Sequence, residues 1–590
     1  MTSQPQQIVQ RRRSWRPGDG EKRPLERTGK CLGGLRNDVR RRGRCYASDW
    51  TDAFKPVNQQ KTLATTLFLF FACLAPAIAF GTLFDEGSNG AFGVVEMIMS
   101  SAYTGIVYSV TSGQPLAILG ATGPILAYTN IFYTLATETL ELEFLPCYFW
   151  CGLWFSLFTI LMALFDVCCL MRFVTKFTEE IFSGLISMIF IIEAIKPAVK
   201  AFYNKDLDVA LLQLMLLLFT FFLATRLAKL KNTNLLNFTL RKVLSNFAVT
   251  IAILAASALA AIWNDVGIDM LNVPSKLRPT YTDPVTRELR SWIINPMGVN
   301  GDFPVWAVFW CILPALGFTV LGFLDQNLTT LLVNRSTNGL QKPPAYHLDL
   351  LVCGALVYPV CAILGLPFPV AATVRSLTHL ISLTNYDIQE IKGGGQRKVP
   401  TDVVEQRVTN LGIHVLIGLS LLLAPWLKYL PKAVLYGVFL FMGVSSLNGN
   451  ELFERLALWT IWDTSKYPQY PYLQKVSIQR VHIFTALQAL GLAILYALKS
   501  IKQVAVVFPF FIAFLACVRP CFGKYFTKNE LDALDGDEEE EMKQSSDAED
   551  GQDDRKQVES DDDDCHPSGL RQNCPSPSKE DEDLGCGMSL

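Results

Sequence analysis

Two charged side chains lie inside long apolar segments of this 590-residue chain. Asp325 interrupts the apolar segment that begins at Pro304, and Arg375 lies in the short, broken segment Gly365–Ser382. A charge buried at that depth of a bilayer is costly and typically marks a substrate or ion path. A guanidinium also offers planar donors that suit a carboxylate-like oxyanion. The two residues therefore predict an anion site inside a membrane protein.

Each charge also has a structural interpretation. Asp325 could pair with a structural partner, and Arg375 could extend its head group to a membrane face. Glu193 and Asp166 also lie within or beside apolar segments, and we interpret them as structural. The histidines near segment ends are interpreted in the same way rather than as metal ligands; they are His347, His379, His414 and His482.

Composition and segment length predict an all-α polytopic membrane protein. Half of the residues are hydrophobic and only 18% are charged, with the charges concentrated in the two tails. Many apolar segments approach or reach the roughly 20 residues that cross about 30 Å of hydrocarbon. The predicted spans are Thr62–Phe84, Ala91–Val110, Leu145–Leu170, Glu180–Ile195, Val209–Leu230 and Val243–Trp263, then Pro304–Val333, Leu348–Leu364, Leu411–Leu427, Ala433–Leu447, Val481–Leu498 and Val504–Val518.

Two further segments are short and interrupted by glycine and proline. They begin with Gly113-Gln-Pro115 and Gly365-Leu-Pro367, and each is the third of about seven segments in its half of the chain. Seven is odd, so the second half would enter the membrane with reversed polarity. Paired broken segments in two inverted halves indicate the binding site of a transporter.

Helices that begin in mid-membrane direct free N–H groups and partial positive charge at the gap between them. Two such ends that meet would hold an anion. Thr122 and Thr373 could add hydroxyl donors, and Asp325 would face the same gap. Asp325 could neutralise Arg375 in the empty site, or it could bind sodium together with the anion.

Charge distribution predicts the remaining organisation. Residues 1–60 are Arg-rich and predicted to be cytoplasmic and mostly disordered, with a lipid or protein docking site as the alternative. Residues 61–264 and 304–525 form the two membrane repeats, and 265–303 an extracellular loop. Residues 526–590 are an acidic, disordered cytoplasmic tail. Asn448–Trp462 is amphipathic, which is typical of a helix on the membrane surface.

Basic loops support this orientation, because cytoplasmic loops carry excess Lys and Arg. Met171–Lys176, Lys229–Lys242 and Arg335–Lys342 would all lie inside, whereas the acidic Glu138–Glu143 would lie outside. One loop disagrees, because its three lysines would lie outside; they are Lys196, Lys200 and Lys205.

Several stretches resemble the bicarbonate transporter family, which includes chloride/bicarbonate exchangers, sodium-coupled bicarbonate transporters and, more distantly, borate transporters. The resemblance covers about Asp49 to Leu534. The stretches that carry it are Phe71–Gly81, Gln114-Pro-Leu, Thr122-Gly-Pro, Thr178–Phe182, Phe323–Thr330, His347–Leu350, Ala372–Ser376 and Val434–Gly443.

The resemblance implies fourteen membrane segments in two inverted seven-segment repeats, arranged as a core domain and a gate domain. It implies a dimer through the gate and elevator-like alternating access. It also implies an anion site between the third and tenth segments, facing the eighth, with Asp325 and Thr329 coupling a cation. The implied substrate-binding residues, with Thr373 added from its hydroxyl, are Phe80, Thr122, Gly123, Asp325, Thr329, Thr373, Val374 and Arg375.

Two departures limit what the resemblance implies. Animal members have a large folded cytoplasmic domain before the membrane part, whereas only about 60 residues precede it here, so anchoring to the cytoskeleton is not expected. Chloride exchangers resemble this chain at Arg375 but carry Glu in place of Asp325, and sodium-coupled members share the Asp but tend to lack the Arg. The coupling ion, chloride or sodium, stays open. Leu531–Asp535 resembles an acidic motif proposed to recruit carbonic anhydrase.

The predicted function is therefore secondary transport of bicarbonate or carbonate, with chloride or sodium as the second ion. A borate transporter, an anion channel and a non-transporting scaffold are the alternatives. No nucleophile–base pair or metal-ligand cluster is evident in the sequence, so we expect neither an enzyme nor a cofactor. The expected partners are membrane lipid and a second copy of the chain, without nucleic acid. The expected location is the plasma membrane, with both termini cytoplasmic.

Overall fold

The structure is a computed structural model. It describes residues 15, 24–233, 235–263, 265–271, 273, 278–280, 290–299, 301–391, 395–461, 463, 467–468, 470–501 and 504–535. The predicted acidic tail beyond 535 and most of the first 23 residues therefore lie outside the described residues.

Helices dominate the described part of the chain. In order they are α1 Gly33–Gly43, α2 Tyr46–Thr51, α3 Pro56–Gly87, α4 Val94–Thr111, α5 Gly123–Thr134, α6 Phe144–Leu164, α7 Lys176–Asn204, α8 Leu207–Lys229, α9 Phe238–Asn246, α10 Ala248–Ile262, α11 Val305–Trp310, α12 Ile312–Val333, α13 Tyr346–Val352, α14 Tyr358–Leu364, α15 Thr373–Leu383, α16 Val408–Leu419, α17 Ala424–Leu427, α18 Lys432–Ser446, α19 Glu451–Leu458, α20 Pro471–Lys475, α21 Ile478–Ser500, α22 Phe508–Val518 and α23 Lys528–Asp535.

Seven helical segments of the described residues are long and apolar enough to cross a membrane, or up to nine if each of two bent pairs counts as one span. They include α3, α6 and the continuous segment Val305–Val333, which contains α11 and α12. The polytopic membrane protein predicted from composition is therefore confirmed.

The all-α prediction needs a correction, because the fold contains two small antiparallel sheets. Strand β1, Leu119–Gly120, pairs with β2, Val370–Ala371. Strand β3, Thr384–Ile391, pairs with β4, Gly395–Val403, in a hairpin that connects α15 to α16. The apolar pattern assigns no element to residues 384–403, which lie between two apolar segments, so it does not predict this hairpin.

The basic N-terminal segment is more ordered than predicted. Helices α1 and α2 lie within residues 1–60, and Asp38, Arg42 and Asp49 on them are buried. Arg42 pairs with Asp49 at 2.9 Å, and the Asp38 carboxylate accepts a hydrogen bond from the backbone N–H of His347 at 2.9 Å. These polar contacts explain why a segment with little apolar surface folds here.

The start of the acidic tail also differs from the prediction. Helix α23 falls within the region predicted to be disordered, and its Leu531, Leu534 and Asp535 are buried. Asp535 accepts hydrogen bonds from the Phe177 backbone N–H at 2.6 Å and from the Arg519 side chain at 2.5 Å. The Leu531–Asp535 motif is thus folded against the rest of the chain and is not a free peptide.

The predicted surface helix corresponds to α19. Its Arg455 is fully buried and joins α19 to two spans, bonding Glu180 of α7 and Gln488 of α21, the latter at 2.9 Å. Asn450 caps the helix start by accepting from the Leu452 backbone N–H at 3.0 Å. The polar residues that gave α19 its amphipathic pattern therefore include one that points into the protein.

Candidate anion site

The two broken segments meet, as the repeated Gly-x-Pro pattern predicted. In the β1–β2 pair, Leu119 is opposite Ala371 and Gly120 is opposite Val370. Helix α5 begins three residues after β1, and α15 begins two residues after β2. Both helices therefore start at the same place and direct their free N–H groups into one region.

The details of these segments differ from the prediction. The Gly-x-Pro residues do not open a helix; they begin extended stretches, and the helices start later, at Gly123 and Thr373. Helix α5 has 12 residues and α15 has 11. At 1.5 Å per residue α15 is about 16 Å long and α5 about 18 Å, and α5 continues into five π-helical residues, Leu135–Thr139, so both stay shorter than the roughly 30 Å hydrocarbon thickness of a bilayer.

The extended stretch before α5 is held by side chains from three other helices. The Asp349 carboxylate of α13 accepts from the backbone N–H groups of residues 113 and 114 at 2.7 and 3.0 Å. The Asn410 amide of α16 donates to the carbonyls of residues 115 and 117 at 3.0 and 2.8 Å. Ser376 Oγ of α15 accepts from the N–H of residue 118 at 2.9 Å. Nearly every residue of the stretch is therefore fixed in position.

The extended stretch before α15 is held in a similar way. The Tyr148 hydroxyl of α6 donates to the Leu366 carbonyl at 2.9 Å and accepts from the Phe368 N–H at 3.0 Å. Its ring stacks on Phe368 with 4.4 Å between centroids. Ser100 of α4 donates to the Pro367 carbonyl at 2.7 Å. Buried backbone that lacks helical bonds needs such partners.

Arg375 lies in this region, with its guanidinium next to the stretch between β1 and α5 and to α3. Its Nη2 donates to the Ala121 carbonyl at 2.7 Å, and the guanidinium lies beside the Cys73 thiol of α3. A Cβ on Gly120 would be only 2.5 Å from Arg375 Nη1, so the guanidinium uses the space that glycine leaves. Within the described ranges no carboxylate lies within 4.0 Å of it. A positive charge is therefore held beside the two helix starts without a carboxylate partner among the described residues.

Helix α12 presents two polar side chains to the same region, one turn apart. Asp325 is 4% exposed, and its Oδ2 accepts from Thr122 Oγ1 at 2.8 Å. Thr329 and Thr373 share a hydrogen bond between their hydroxyls at 2.7 Å. Asp325 forms no ion pair with Arg375. The structure therefore does not show Asp325 neutralising the charge of Arg375. Instead, each half-helix start is bonded to α12.

Aromatic residues form another part of this region. Phe80 is buried, with its ring centroid 5.7 Å from that of Phe190 and 5.1 Å from that of Phe439. A Cβ on Gly123 would lie 3.2 Å from the Phe190 ring, so α5 begins against the same aromatic group. Val374 differs from the other predicted residues, because its side chain is 66% exposed.

The structure thus brings most predicted residues into contact through a few additional ones. Sequence reasoning missed Gly120, Cys73, Phe190 and Phe439, which lie against Arg375, Phe80 and Gly123. Cys73 and Phe439 lie in stretches already singled out for the resemblance. Nothing in the composition of those stretches separates a residue that faces the site from one that faces lipid.

The residues interpreted as structural have structural partners. Glu193 pairs with Lys499 at 3.3 Å, and Asp166 accepts from the Gly34 N–H at 2.8 Å. His379 Nδ1 lies 3.0 Å from the Leu116 carbonyl, and His414 Nδ1 lies 2.8 Å from the Asn410 carbonyl. Among the described residues no group of three His, Cys, Asp or Glu could hold a metal ion.

Comparison with known proteins gives the family. A family model described as the HCO3- transporter integral membrane domain matches residues 30–208 and 203–539. Anion exchange protein 2 of Rattus norvegicus is 37% identical over 566 residues, which cover 89% of this chain and 45% of that protein. Band 3 anion transport protein of Homo sapiens is 37% identical over 536 residues, which cover 87% of this chain and 57% of that protein. The chain spans about half the length of these curated relatives.

Solved structures show the same fold at low sequence identity. The transmembrane domain of a cyanobacterium bicarbonate transporter, BicA, has a TM-score of 0.52 at 16% identity, covering 77% of this chain and 97% of that one. SLC26A9 has a TM-score of 0.52 at 12% identity, covering 86% of this chain and 73% of that one.

The family identified by the family model consists of membrane transporters and not of enzymes. With the family match extending over most of its length, this chain belongs to the HCO3- transporter family.

Proposed function

We propose that this protein moves bicarbonate across a membrane by binding it between the starts of α5 and α15. The observation that carries the proposal is Arg375, a guanidinium without a carboxylate partner in the described residues, beside two half-helix starts joined by the β1–β2 pair. Free N–H groups and a guanidinium together favour a small oxyanion. The family description supports bicarbonate, and the names of the two relatives support an anion.

The proposed binding residues lie around the same two helix starts but have different roles. Arg375 supplies charge, and the hydroxyls of Thr373 and Thr122 supply donors near the helix starts. Phe80 and Gly123 shape the apolar side, and Val374 lies at the exposed edge. Asp325 and Thr329 are proposed to couple a second ion, because a buried carboxylate and a hydroxyl are oxygen ligands that suit a small cation.

The coupling has two candidate forms, exchange for chloride and cotransport with sodium. A positively charged pocket with its carboxylate bonded to Thr122 could pass one anion at a time in either direction. The same carboxylate, without a cation partner in the described residues, could take up sodium together with the anion. Both forms of coupling agree with the geometry, and ion substitution distinguishes chloride exchange from sodium cotransport.

The architecture belongs to the same proposal. We infer fourteen membrane segments in two inverted repeats, with a core domain that slides against a gate domain and carries the site across the membrane. A homodimer through the gate, a plasma-membrane location and cytoplasmic termini complete the proposal. The proposal includes no contact of Leu531–Asp535 with carbonic anhydrase, because Leu531, Leu534 and Asp535 are buried.

Ion substitution tests the proposed transport. The full-length protein is reconstituted in vesicles, and uptake of labelled bicarbonate is measured with chloride or sodium removed in turn. Loss of uptake without chloride indicates exchange, and loss without sodium indicates cotransport. Bicarbonate uptake that is unchanged by both omissions contradicts both forms of coupling. Uptake of borate should then be measured. Turnover far above about 10⁶ per second, faster than a collective domain motion of microseconds to milliseconds allows, would instead indicate a channel.

Arg375→Ala tests the site itself. We expect the half-saturating bicarbonate concentration to rise about 30-fold or more, because a lost buried charge contact costs about 2 kcal/mol or more. Arg375→Lys keeps the charge and should recover part of the affinity. Lys428→Ala, at an exposed position, is the control and should leave the half-saturating bicarbonate concentration unchanged. Unchanged affinity in Arg375→Ala would show that the anion binds elsewhere or that the protein does not transport it.

A further inference from the structure

Helix α1 divides its arginines between two faces. Arg41 and Arg42 are 7% and 2% exposed, whereas Arg36 and Arg40 of the helix and Arg44 at its end are exposed. Positions 36, 40 and 44 are four residues apart and therefore form one stripe along the helix. The helix thus has a buried arginine face and an outward arginine face. Contacts within the protein explain only the buried one.

The buried face fixes the direction of the outward one. Arg42 bonds both Asp49 carboxylate oxygens, at 3.0 and 2.9 Å, and the Pro343 carbonyl at 3.2 Å. Asp49 also pairs with Arg407 at 3.0 Å and with Lys342 at 2.9 Å. This cluster joins α1 and α2 to the start of α16 and to the stretch before α13. The outward stripe therefore cannot turn inward without breaking buried ion pairs.

The outward arginines have no counter-charge among the described residues. In the part of the chain that the structure describes, no carboxylate lies within 4.0 Å of Arg36, Arg40 or Arg44. Exposed apolar side chains lie on the same surface: Leu32 is 47% exposed and Val39 is 51% exposed. A face that mixes unpaired arginines with exposed apolar groups is typical of a helix that lies on an anionic membrane surface.

The position of α1 along the chain indicates where the membrane surface lies relative to this helix. Helix α3, a candidate span, begins at Pro56, shortly after α2 ends. Phe54 and Val57 at this junction are 62% and 88% exposed. Such large apolar side chains next to a span are expected to contact lipid. The arginine stripe therefore lies close to the leaflet at which α3 enters.

We propose that the outward face of α1 binds anionic phospholipid headgroups of that leaflet. The arginines bond the phosphate and carboxylate oxygens, and Leu32 and Val39 contact the first part of the acyl chains. This site is separate from the anion pocket and does not depend on which ion is transported. Because α1 is bonded to the elements before α13 and α16, the lipid also helps to hold the side of the protein that supports the stretch before α5.

Lipid binding is measured directly, without a transport assay. The purified full-length protein in neutral detergent is titrated with dioctanoyl phosphatidylserine, and its thermal unfolding midpoint is followed. Arg36→Gln/Arg40→Gln should weaken binding about 25-fold, which is about fivefold for each arginine near an anionic surface. Arg36→Lys/Arg40→Lys should keep most of the binding. Phosphatidylcholine of the same chain length should not produce the parent's response.

Lys196→Gln/Lys200→Gln is the matched control. These two lysines are also exposed and four residues apart on a helix, near the far end of α7. The control should bind phosphatidylserine as the parent does. Equal binding by parent and Arg36→Gln/Arg40→Gln, or an equal loss in the lysine control, would overturn the proposal. So would equally tight binding of glycerophosphoserine, which lacks acyl chains and would point to a soluble acidic partner.

Discussion

Asp325 is buried, and the Thr122 hydroxyl donates to it at 2.8 Å. Thr122→Val keeps the shape of the side chain and removes that donor. We expect transport to fall about 10- to 150-fold, because a hydrogen bond to a charged group contributes about 1.5–3 kcal/mol. Initial uptake rates, normalised to the amount of protein in the vesicles, provide the measurement.

Thr129→Val is the control for this change. Thr129 is also buried in α5, but its hydroxyl donates only to the Ile125 carbonyl one turn earlier at 2.8 Å. That carbonyl already accepts within the helix, so the loss should be small. If both variants lose the same activity, the effect comes from packing of α5 and not from the contact with Asp325.

Glu405 gives a pH dependence of stability. It is 3% exposed and accepts from the backbone N–H of Lys342 at 3.0 Å. Burial raises the pKa of Glu405 from 4.5 to about 7, although Arg42 and the hydrogen bonds from residues 341 and 342 act in the opposite direction. The native state thus binds this proton more tightly than the unfolded state does. Its stabilising contribution is complete below about pH 4.5 and is lost as pH rises through about 7.

Glu405→Gln should remove this contribution. The unfolding midpoint of the parent should fall more steeply between pH 4.5 and pH 7 than that of the variant, measured by thermal unfolding across that range. Asp265→Asn makes the same carboxyl-to-amide change at an exposed position and should keep the parent's slope. Parallel curves for parent and Glu405→Gln would show that this group does not titrate with folding.

At the scale of elements, the broken third segment of each half could be predicted, because Gly and Pro interrupt an apolar run at Gly113 and Gly365. The β1–β2 pairing could not, because each strand has two residues and its partner lies in the other half of the chain. The helix starts were also displaced from the prediction. Tertiary partners such as Asp349 and Tyr148 hold the preceding backbone extended, and no local pattern records them.

Gly120→Ala tests how closely β1 approaches α15. The added methyl would lie 2.5 Å from Arg375 Nη1, so the guanidinium must move. We expect the half-saturating anion concentration to rise about tenfold or more, because a displacement near 1 Å is costly at a preorganised site. Gly267→Ala, where nothing lies within 4 Å of the added atom, should have no effect. Normal affinity in Gly120→Ala would mean that Arg375 binds the anion from another position.

At the scale of the whole molecule, composition was enough to predict a polytopic membrane protein, but it misjudged both ends. Residues 1–60 and the start of the tail are polar, and polarity alone favours disorder. Their described parts fold because Asp49 pairs with Arg407 and Lys342, and because Asp535 accepts a hydrogen bond from the backbone N–H of Phe177, all on distant elements. Pairings of this kind depend on the finished fold, so a window of sequence cannot reveal them.

In the elevator motion that we propose, α12, which carries Asp325, moves relative to α7. Phe182 of α7 and Leu328 of α12 line the same small cleft between these helices. In Phe182→His/Leu328→His, a zinc ion bound by both imidazoles would tie the two helices together. We expect micromolar zinc to stop transport by the double variant, a chelator to restore it, and each single variant to continue in zinc. Bound zinc is counted separately. If the double variant binds zinc and still transports at the parent's rate, α12 and α7 do not move past each other, and the proposed elevator motion is wrong.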